Sequence, residues 1–381
     1  MNKINSPKSF SLLIPDGENS FALPVLQCLG GEKNVSPIVL SSNPMAPSRF
    51  SRYAKQYYTN HKRISDEEKL EYIYEMIKKT KVDTILPTSQ NSMRLVSFYR
   101  DSLSRITALP LVPEVEMYDI VINKWLLFNW MIRNNISCPQ TILYSSDDGF
   151  VEALSSMQFP VLLKPTQKSG GEGIKCFDNV SSLLLFCRNN LKQEEYIVQS
   201  YIKGYDIDFS ALCRNGEILA NTISKGTNIK HSFSHGPVFD FIRDCGIYSF
   251  AKDFINKLNW SGVINIDLRY DEENKQSKVL EVNPRYGRTL ICSYYSGVNF
   301  PYLACLSSLN IEFKKIEGKP MRFVFAKEAI KIKTKKLIIG KRDNLYYDSS
   351  NIKMRLKDPL PKLIEKINLI SNRFRNSVVL K

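Results

Sequence analysis

Leu280-Glu281-Val282-Asn283-Pro284-Arg285-Tyr286-Gly287-Arg288-Thr289 is the stretch from which the rest of the chain can be read. Residues 278–283 have strand composition, and a period of two puts Glu281 and Asn283 on one face. Pro284 ends the ladder because it has no N–H to donate. An apolar strand over 263–270 precedes it and carries Asp267 near its end. On adjacent antiparallel strands, Asp267 and Glu281 can face the same side. Two carboxylates and an amide oxygen converging in this way suit a hard cation. Mg²⁺ takes one or two carboxylates plus substrate phosphates and keeps several waters. Arg285 and Arg288 add fixed positive charge suited to phosphoryl or carboxylate oxygens. A plain surface salt-bridge cluster would not need to end two apolar strands together.

Upstream, Phe159-Pro160-Val161-Leu162-Leu163-Lys164-Pro165 reads as an apolar strand whose last residue but one is a lysine. Its ammonium would leave a low-dielectric wall where a phosphate oxygen could be held. Gln167-Lys168-Ser169-Gly170-Gly171-Glu172-Gly173-Ile174 follows, and its glycines let backbone N–H groups approach an anion closely. Lying between two strands, it is not a Walker loop. Lys124 sits in a helix read over 118–134, and alone would pass for a solvated charge. Strands are expected at 173–177, 195–202, 206–213 and 217–224, with a hairpin turn at Arg214-Asn215-Gly216. Helices are expected near 180–190 and 247–258. This is an α+β region with antiparallel pairs.

The first hundred residues follow a different plan. Strands at 9–14, 36–40 and 83–86 alternate with helices at 19–29, 67–80 and 91–103, which argues for an open parallel sheet. The sequence there has no G-x-G-x-x-G, so no nucleotide is placed on that sheet.

At 381 residues, 43% hydrophobic and 24% charged, the chain is a folded protein of two or three domains. No run approaches the ~20 apolar residues of a membrane span. The opening MNKINSPKSFSLLIPDG has no cleavage-site pattern, which gives a cytoplasmic expectation. The eight cysteines form no C-x-x-C and do not cluster with His61, His231 or His235, so neither a zinc framework nor a disulfide scaffold is expected. No G-x-S-x-G or Cys–His pairing suggests a covalent nucleophile.

Taken in order, these motifs resemble the ATP-grasp superfamily, which includes carbamoyl-phosphate synthetase, D-alanine–D-alanine ligase and biotin carboxylase. The resemblance covers about residues 1–310 and is strongest over 280–289. It implies a pre-ATP-grasp α/β domain (1–115), lobe A (116–195), lobe B with the metal site (196–313) and a basic C-terminal segment (314–381). By resemblance Lys124 and Lys164 contact ATP phosphates, and the loop with Ser169, Gly170, Gly171 and Gly173 closes over them. Gln199, Ser200, Tyr201 and Ile202 edge the adenine. Gln199 stands where the family usually has Glu, and Asp206 is shorter than the usual ribose-binding Glu. Asp267, Glu281 and Asn283 match the Mg²⁺ ligands, with Mn²⁺ as a substitute, and Arg285 and Arg288 lie near the transferred group. The implied activity activates a carboxylate as an acyl phosphate and joins it to an amine. Residues 283–303 look most like D-aspartate ligases of cell-wall synthesis and the synthetase domain of carbamoyl-phosphate synthetase. The competing readings are a carbamoyl-phosphate-synthetase-like small-molecule kinase and a non-catalytic ATP-binding protein. A homodimer is common in the superfamily. Ser224 to Pro237 could be a substrate loop, with His231 and His235 as candidate orienting groups.

The net charge of +15 is concentrated at the C-terminus. Residues 314–381 hold nineteen Lys and Arg against six Asp and Glu, while the rest is nearly neutral. Lys331 to Ile339 alternates like an edge strand, and 360–375 reads as an amphipathic helix with basic flanks. A solvated subdomain, attachment to an anionic membrane or a lipid-linked acceptor at the inner membrane face, and nucleic-acid binding compete here. Nucleic acid ranks last, since no recognised motif is present.

Overall fold

β1 (Phe10–Ile14) is almost wholly buried, as a strand covered on both faces of a parallel sheet must be. A computed structural model of the protein describes residues 8–60, 65–191, 194–228, 235–339 and 348–379. In chain order β1 is followed by α1 (Ala22–Leu29), β2 (Val35–Ser41), β3 (Gln56–Thr59), α2 (Asp66–Thr80), β4 (Thr84–Ile85), α3 (Gln90–Phe98) and α4 (Arg100–Leu103). The four strands pair in parallel in the order β3-β2-β1-β4, which is the open sheet expected. Pro24 lies in the first turn of α1, where its missing N–H costs no hydrogen bond. Ser65 and Glu68 form a capping box on α2.

The helix expected over 118–134 is two helices, α5 (Val115–Ile122) and α6 (Lys124–Arg133). Asn123 adopts an extended backbone between them, and its Oδ1 accepts from the amides of Trp125 and Leu126. The break is thus an N-cap, and it places Lys124 in the first turn of α6.

The next unit holds β5 (Thr141–Leu143), α7 (Asp148–Ser155), β6 (Val161–Pro165), β7 (Lys175–Phe177), α8 (Val180–Asn190) and β8 (Tyr196–Ser200), with an antiparallel sheet ordered β5-β8-β6-β7. Phe150, Leu154, Val161, Leu163 and Leu183 give it a core of its own.

The third unit carries the large sheet. It contains β9 (Gly204–Arg214), β10 (Glu217–Asn228), β11 (His235–Ile242), α9 (Cys245–Lys257), β12 (Gly262–Asp271), β13 (Gln276–Asn283), α10 (Leu290–Tyr295), α11 (Phe300–Ser308), β14 (Ile316–Glu317) and β15 (Met321–Val324). The strand order is β13-β12-β9-β10-β11-β15, with β14 beside β10. One core joins this sheet and helices α10 and α11 to the N-terminal domain. Leu26 and Ile14 share it with Phe209, Ile264 and Leu303.

Residues beyond 313 enter this sheet, since β14 pairs with β10 and β15 with β11. The stretch expected as an edge strand at Lys331–Ile339 is instead part of α12 (Ala326–Ile339). Its lysines alternate, but Ala329 and Ile332, three apart, are the buried pair, with Val238 and Val324. A helical spacing therefore sets the packing. The chain ends in α13 (Ile352–Lys357) and α14 (Leu360–Val379), so the amphipathic helix read over 360–375 is present. Among the described residues no helix is long and apolar enough to cross a membrane.

Gly204, at the junction of β8 and β9, fixes where the units meet. Its φ is +151°, and a Cβ there would lie 1.8 Å from the Tyr270 carbonyl oxygen. Gly204→Ala must push β9 away from β12. We expect a loss of about 3 kcal/mol in stability, from overpacking against immobile backbone plus strain. Chemical denaturation of the variant checks this.

Candidate active site

The large sheet presents one polar face built from alternate residues of four strands. Glu281 on β13 pairs with Asp267 on β12, Asp267 with Asp208 on β9, and Asp208 with Ser224 on β10. Three carboxylates therefore cross the sheet in one row. The next row is Asn283, Asn265, Ser210 and Thr222.

A β-bulge makes this possible. The register of β12 and β13 shifts between Asp267 and Leu268, which pair with Glu281 and Val279 and leave Leu280 unpaired. Val279 is fully buried in the core, yet Glu281, two residues on, faces the site. The extra residue resets the alternation and aims Glu281 beside Asp267.

Burial, followed by the charges of Glu281 and Asp208, holds the Asp267 carboxyl well above the usual carboxylate range. Asp208 is stabilised differently. Its Oδ1 accepts from Ser210 Oγ (3.0 Å) and Thr289 Oγ1 (2.9 Å), and its Oδ2 from Asn265 Nδ2 (2.7 Å). Three hydrogen-bonding side chains thus keep a buried carboxylate in place. Asp208 and Arg269 were not singled out from the sequence, although period-two spacing from Asp206 and Asp267 carries the signal for both.

Opposite the carboxylates stand the two lysines. Lys124 Nζ lies 3.1 Å from Glu281 Oε2 and also donates to the Lys168 carbonyl, while its backbone N–H bonds the Thr166 carbonyl. That last bond ties the start of α6 to the end of β6. Lys164 is buried, and its Nζ donates to Gln199 Oε1 at 2.7 Å. Burial, then the neighbouring Lys124 charge, lowers its pKa to about 8. Gln199 Nε2 in turn donates to Thr141 Oγ1 at 3.0 Å. Both ends of the Gln199 amide are thus engaged. Gln199 bridges Lys164 and Thr141. The residue is neutral, so the carboxylates acting on the Lys164 charge are Glu281 and Asp206.

Ser169, Gly170, Gly171 and Gly173 form an open turn beside these groups. The three glycines have φ of +69°, +81° and +76°. A Cβ at Gly170 would meet nothing, but one at Gly173 would press on the Pro165 ring at 2.8 Å. Arg285 reaches the same turn, with its Nη2 3.5 Å from Ser169 Oγ and 2.9 Å from Asn283 Oδ1. Its guanidinium carbon lies 4.7 Å from the Phe21 ring centre, which brings in the N-terminal domain. Asn283 Nδ2 faces Asp267 at 3.4 Å. As placed, the Asn283 oxygen therefore serves Arg285, and a half-turn of the amide would direct it to the carboxylates. Arg288 is exposed, three residues further on.

At the junction of β8 and β9, Tyr201 N–H bonds the Pro160 carbonyl and Ser200 N–H the Gln140 carbonyl. Ser200 Oγ is buried there without a hydrogen-bond partner. Arg269 clasps the junction. It donates to the Ile202 carbonyl (2.8 Å), Asp206 Oδ1 (2.6 Å) and Tyr201 Oη (3.1 Å). One Asp206 oxygen is therefore taken by this ion pair.

Lys124, Lys164, the glycine turn, Gln199, Asp206, Asp267, Glu281, Asn283 and Arg285 thus gather between the two sheets, with Phe21 of the N-terminal domain at the edge. His61 and His231 lie outside the described residues, as does the side chain of His235. All eight cysteines are free thiols, five of them buried. Among the described residues no three His, Cys, Asp or Glu side chains are grouped to hold a metal by themselves.

Comparison with known proteins agrees with this geometry. Residues 192–328 match the family described as "ATP-grasp in the biosynthetic pathway with Ter operon". The chain is similar to the carbamoyl phosphate synthase large chain of Lachnoclostridium phytofermentans, with 27% identity over 43% of this chain and 16% of that protein. It is also similar to the D-aspartate ligase of Enterococcus faecium, with 22% identity over 58% of this chain and 57% of that protein. The chain therefore spans a small to moderate part of these relatives. Among solved structures, N5-carboxyaminoimidazole synthetase from Staphylococcus aureus, complexed with ADP, superposes with a TM-score of 0.66 at 14% identity. That match covers 84% of this chain and 83% of the other. The L-amino acid ligase of Bacillus licheniformis gives 0.59 at 15% identity, over 80% and 75%.

Proposed function

The chain belongs to the ATP-grasp superfamily, and from that premise we propose that it is an ATP- and Mg²⁺-dependent ligase joining a small-molecule carboxylate to an amine. The observation that carries the reading is the meeting of Lys124 and Lys164 with the Asp267–Glu281 pair across one cleft.

The donor set fits a magnesium nucleotide. Burial, and after it the neighbouring Glu281 and Asp208 charges, push the Asp267 carboxyl pKa up, and a divalent cation between Asp267 and Glu281 would relieve that repulsion. Asn283 would supply a third oxygen after its amide turns. Bound ATP would supply the γ-phosphoryl group that converts the carboxylate into an acyl phosphate. The chain's own part is positioning and charge neutralisation, which is most of what phosphoryl transfer asks of a protein. Lys164 and Lys124 meet phosphate oxygens, and Gln199 holds the Lys164 ammonium in line. The glycine turn 169–173 offers backbone N–H groups and shields the reacting carboxyl from water. Tyr201 and Ile202 border the base, and the second Asp206 oxygen remains to accept from the ribose. Arg285, reaching from Asn283 toward Ser169 and Phe21, is placed to orient the carboxylate. The finer reading is an acceptor from cell-envelope or polysaccharide precursor synthesis, in keeping with the likeness to D-aspartate ligase.

The test is ADP release from Mg-ATP with amino acids and amino sugars, singly and in pairs. Release that requires two partners is the expected result. Release with bicarbonate or one acid alone would instead identify a small-molecule kinase. Nucleotide binding with no stimulated release would identify a non-catalytic site.

A further inference from the structure

The C-terminal helices present a feature that the cleft does not use. Leu360, Leu363, Ile367 and Ile370 recur at intervals of three, four and three along α14, which places them on one face of the helix. Leu356 lies on the separate helix α13. Each of these side chains is roughly half exposed or more. A contiguous apolar stripe of this length on the outside of a protein marks an interaction surface.

The opposite face is fastened to the N-terminal domain. Asp358, buried between α13 and α14, accepts from Ser51 Oγ (2.8 Å), the Arg52 N–H (2.9 Å) and Gln27 Nε2 (3.4 Å). Pro361 is buried, and Asn368 Nδ2 donates to the Met45 carbonyl at 3.0 Å. The stripe is thus held facing outward.

Its flanks are basic. Between Lys353 and Ser371 there are five lysines and arginines, and the two acids are Asp358 and Glu365. Asp358 is buried, and Glu365 is paired with Lys362. Lys362 and Lys366 are exposed beside the stripe. Five bases against two acids leave this surface net positive, so two copies placed face to face would oppose like charges. An anionic surface satisfies both the charge and the apolar stripe.

We propose that α13 and α14 form a docking surface for an anionic lipid bilayer. Leu363, Ile367 and Ile370 enter the acyl boundary, and Lys362 and Lys366 meet the headgroup phosphates. The inference is independent of the ligase reading, because no residue of the cleft takes part.

The test is co-sedimentation of the full chain with vesicles of phosphatidylcholine alone or of phosphatidylcholine with about one-third phosphatidylglycerol. Binding to the anionic vesicles and release by added salt are expected, because surface charge is screened by salt. Leu363→Asp with Ile370→Asp should abolish binding and leave the melting temperature unchanged. Lys362→Glu with Lys366→Glu should weaken it about tenfold or more. Equal binding to both vesicles, or to neither, overturns the proposal. So does a concentration-dependent dimer, seen by sedimentation velocity, that the Leu363→Asp and Ile370→Asp changes dissolve. That result would make the stripe an interface between two copies.

Discussion

Glu281→Gln is expected to reduce substrate-stimulated ADP release by about a thousandfold or more, the scale of losing a preorganised electrostatic contact to the transferring group. That corresponds to roughly 4 kcal/mol of transition-state stabilisation at about 1.4 kcal/mol per tenfold. The change preserves shape and removes one charge. It deletes a carboxylate of the proposed cation site and the partner 3.1 Å from Lys124. Two opposing effects keep the fold intact. Lys124 loses an ion pair, while Asp267 loses one of the neighbouring charges that, after burial, push its pKa up. The melting temperature should therefore move by no more than about 4 °C. Glu281→Asp keeps the charge one methylene short and should retain partial activity. A Glu281→Gln enzyme within tenfold of the parent would remove Glu281 from the chemistry.

Nucleotide affinity should depend on pH through Lys164. With its pKa lowered to about 8 by burial and by Lys124, this lysine is charged below pH 8 and increasingly neutral above it. A bound phosphate favours the charged form and raises the pKa. Below pH 8 the ammonium is already present, so binding takes up no proton there. Above pH 8 a proton must be acquired, and affinity should fall by about tenfold per pH unit until the bound-state pKa is reached. Titration calorimetry at pH 7 and pH 9, in buffers of different ionisation enthalpy, measures both the affinity and the proton uptake. Lys164→Met should weaken binding at pH 7 by about 2–3 kcal/mol, the scale of a charged hydrogen bond. It should also flatten the pH dependence. A profile that is the same in parent and variant would show that Lys164 does not touch the phosphates.

Much of the site was legible because strand periodicity is local. Glu281 and Asn283 could be placed on one face from spacing alone, and Lys164 at the end of an apolar strand could be assigned a low-dielectric setting. The glycine turn was equally plain, since glycine is what φ values of +69° to +81° require. Other features depended on long-range contacts. Gln199 reads as a base-edging group in its motif, but its partners are Lys164, 35 positions away, and Thr141, 58 away. Lys331 to Ile339 alternates like a strand, yet packing against Val238 and Val324 makes it a helix.

The sequence by itself determined the open parallel sheet at the N-terminus, the α+β plan of the rest and the residue types of the cleft. These follow from alternation, turn residues and caps, which act over a few positions. Only the tertiary structure decided that Asp208 and Arg269 join the site and that a bulge at Leu280 aims Glu281 at Asp267. It also decided that the basic C-terminal segment both completes the large sheet and fastens α14 outward. Each of these depends on strand register and on which buried polar groups find partners, and pairings between distant segments settle both.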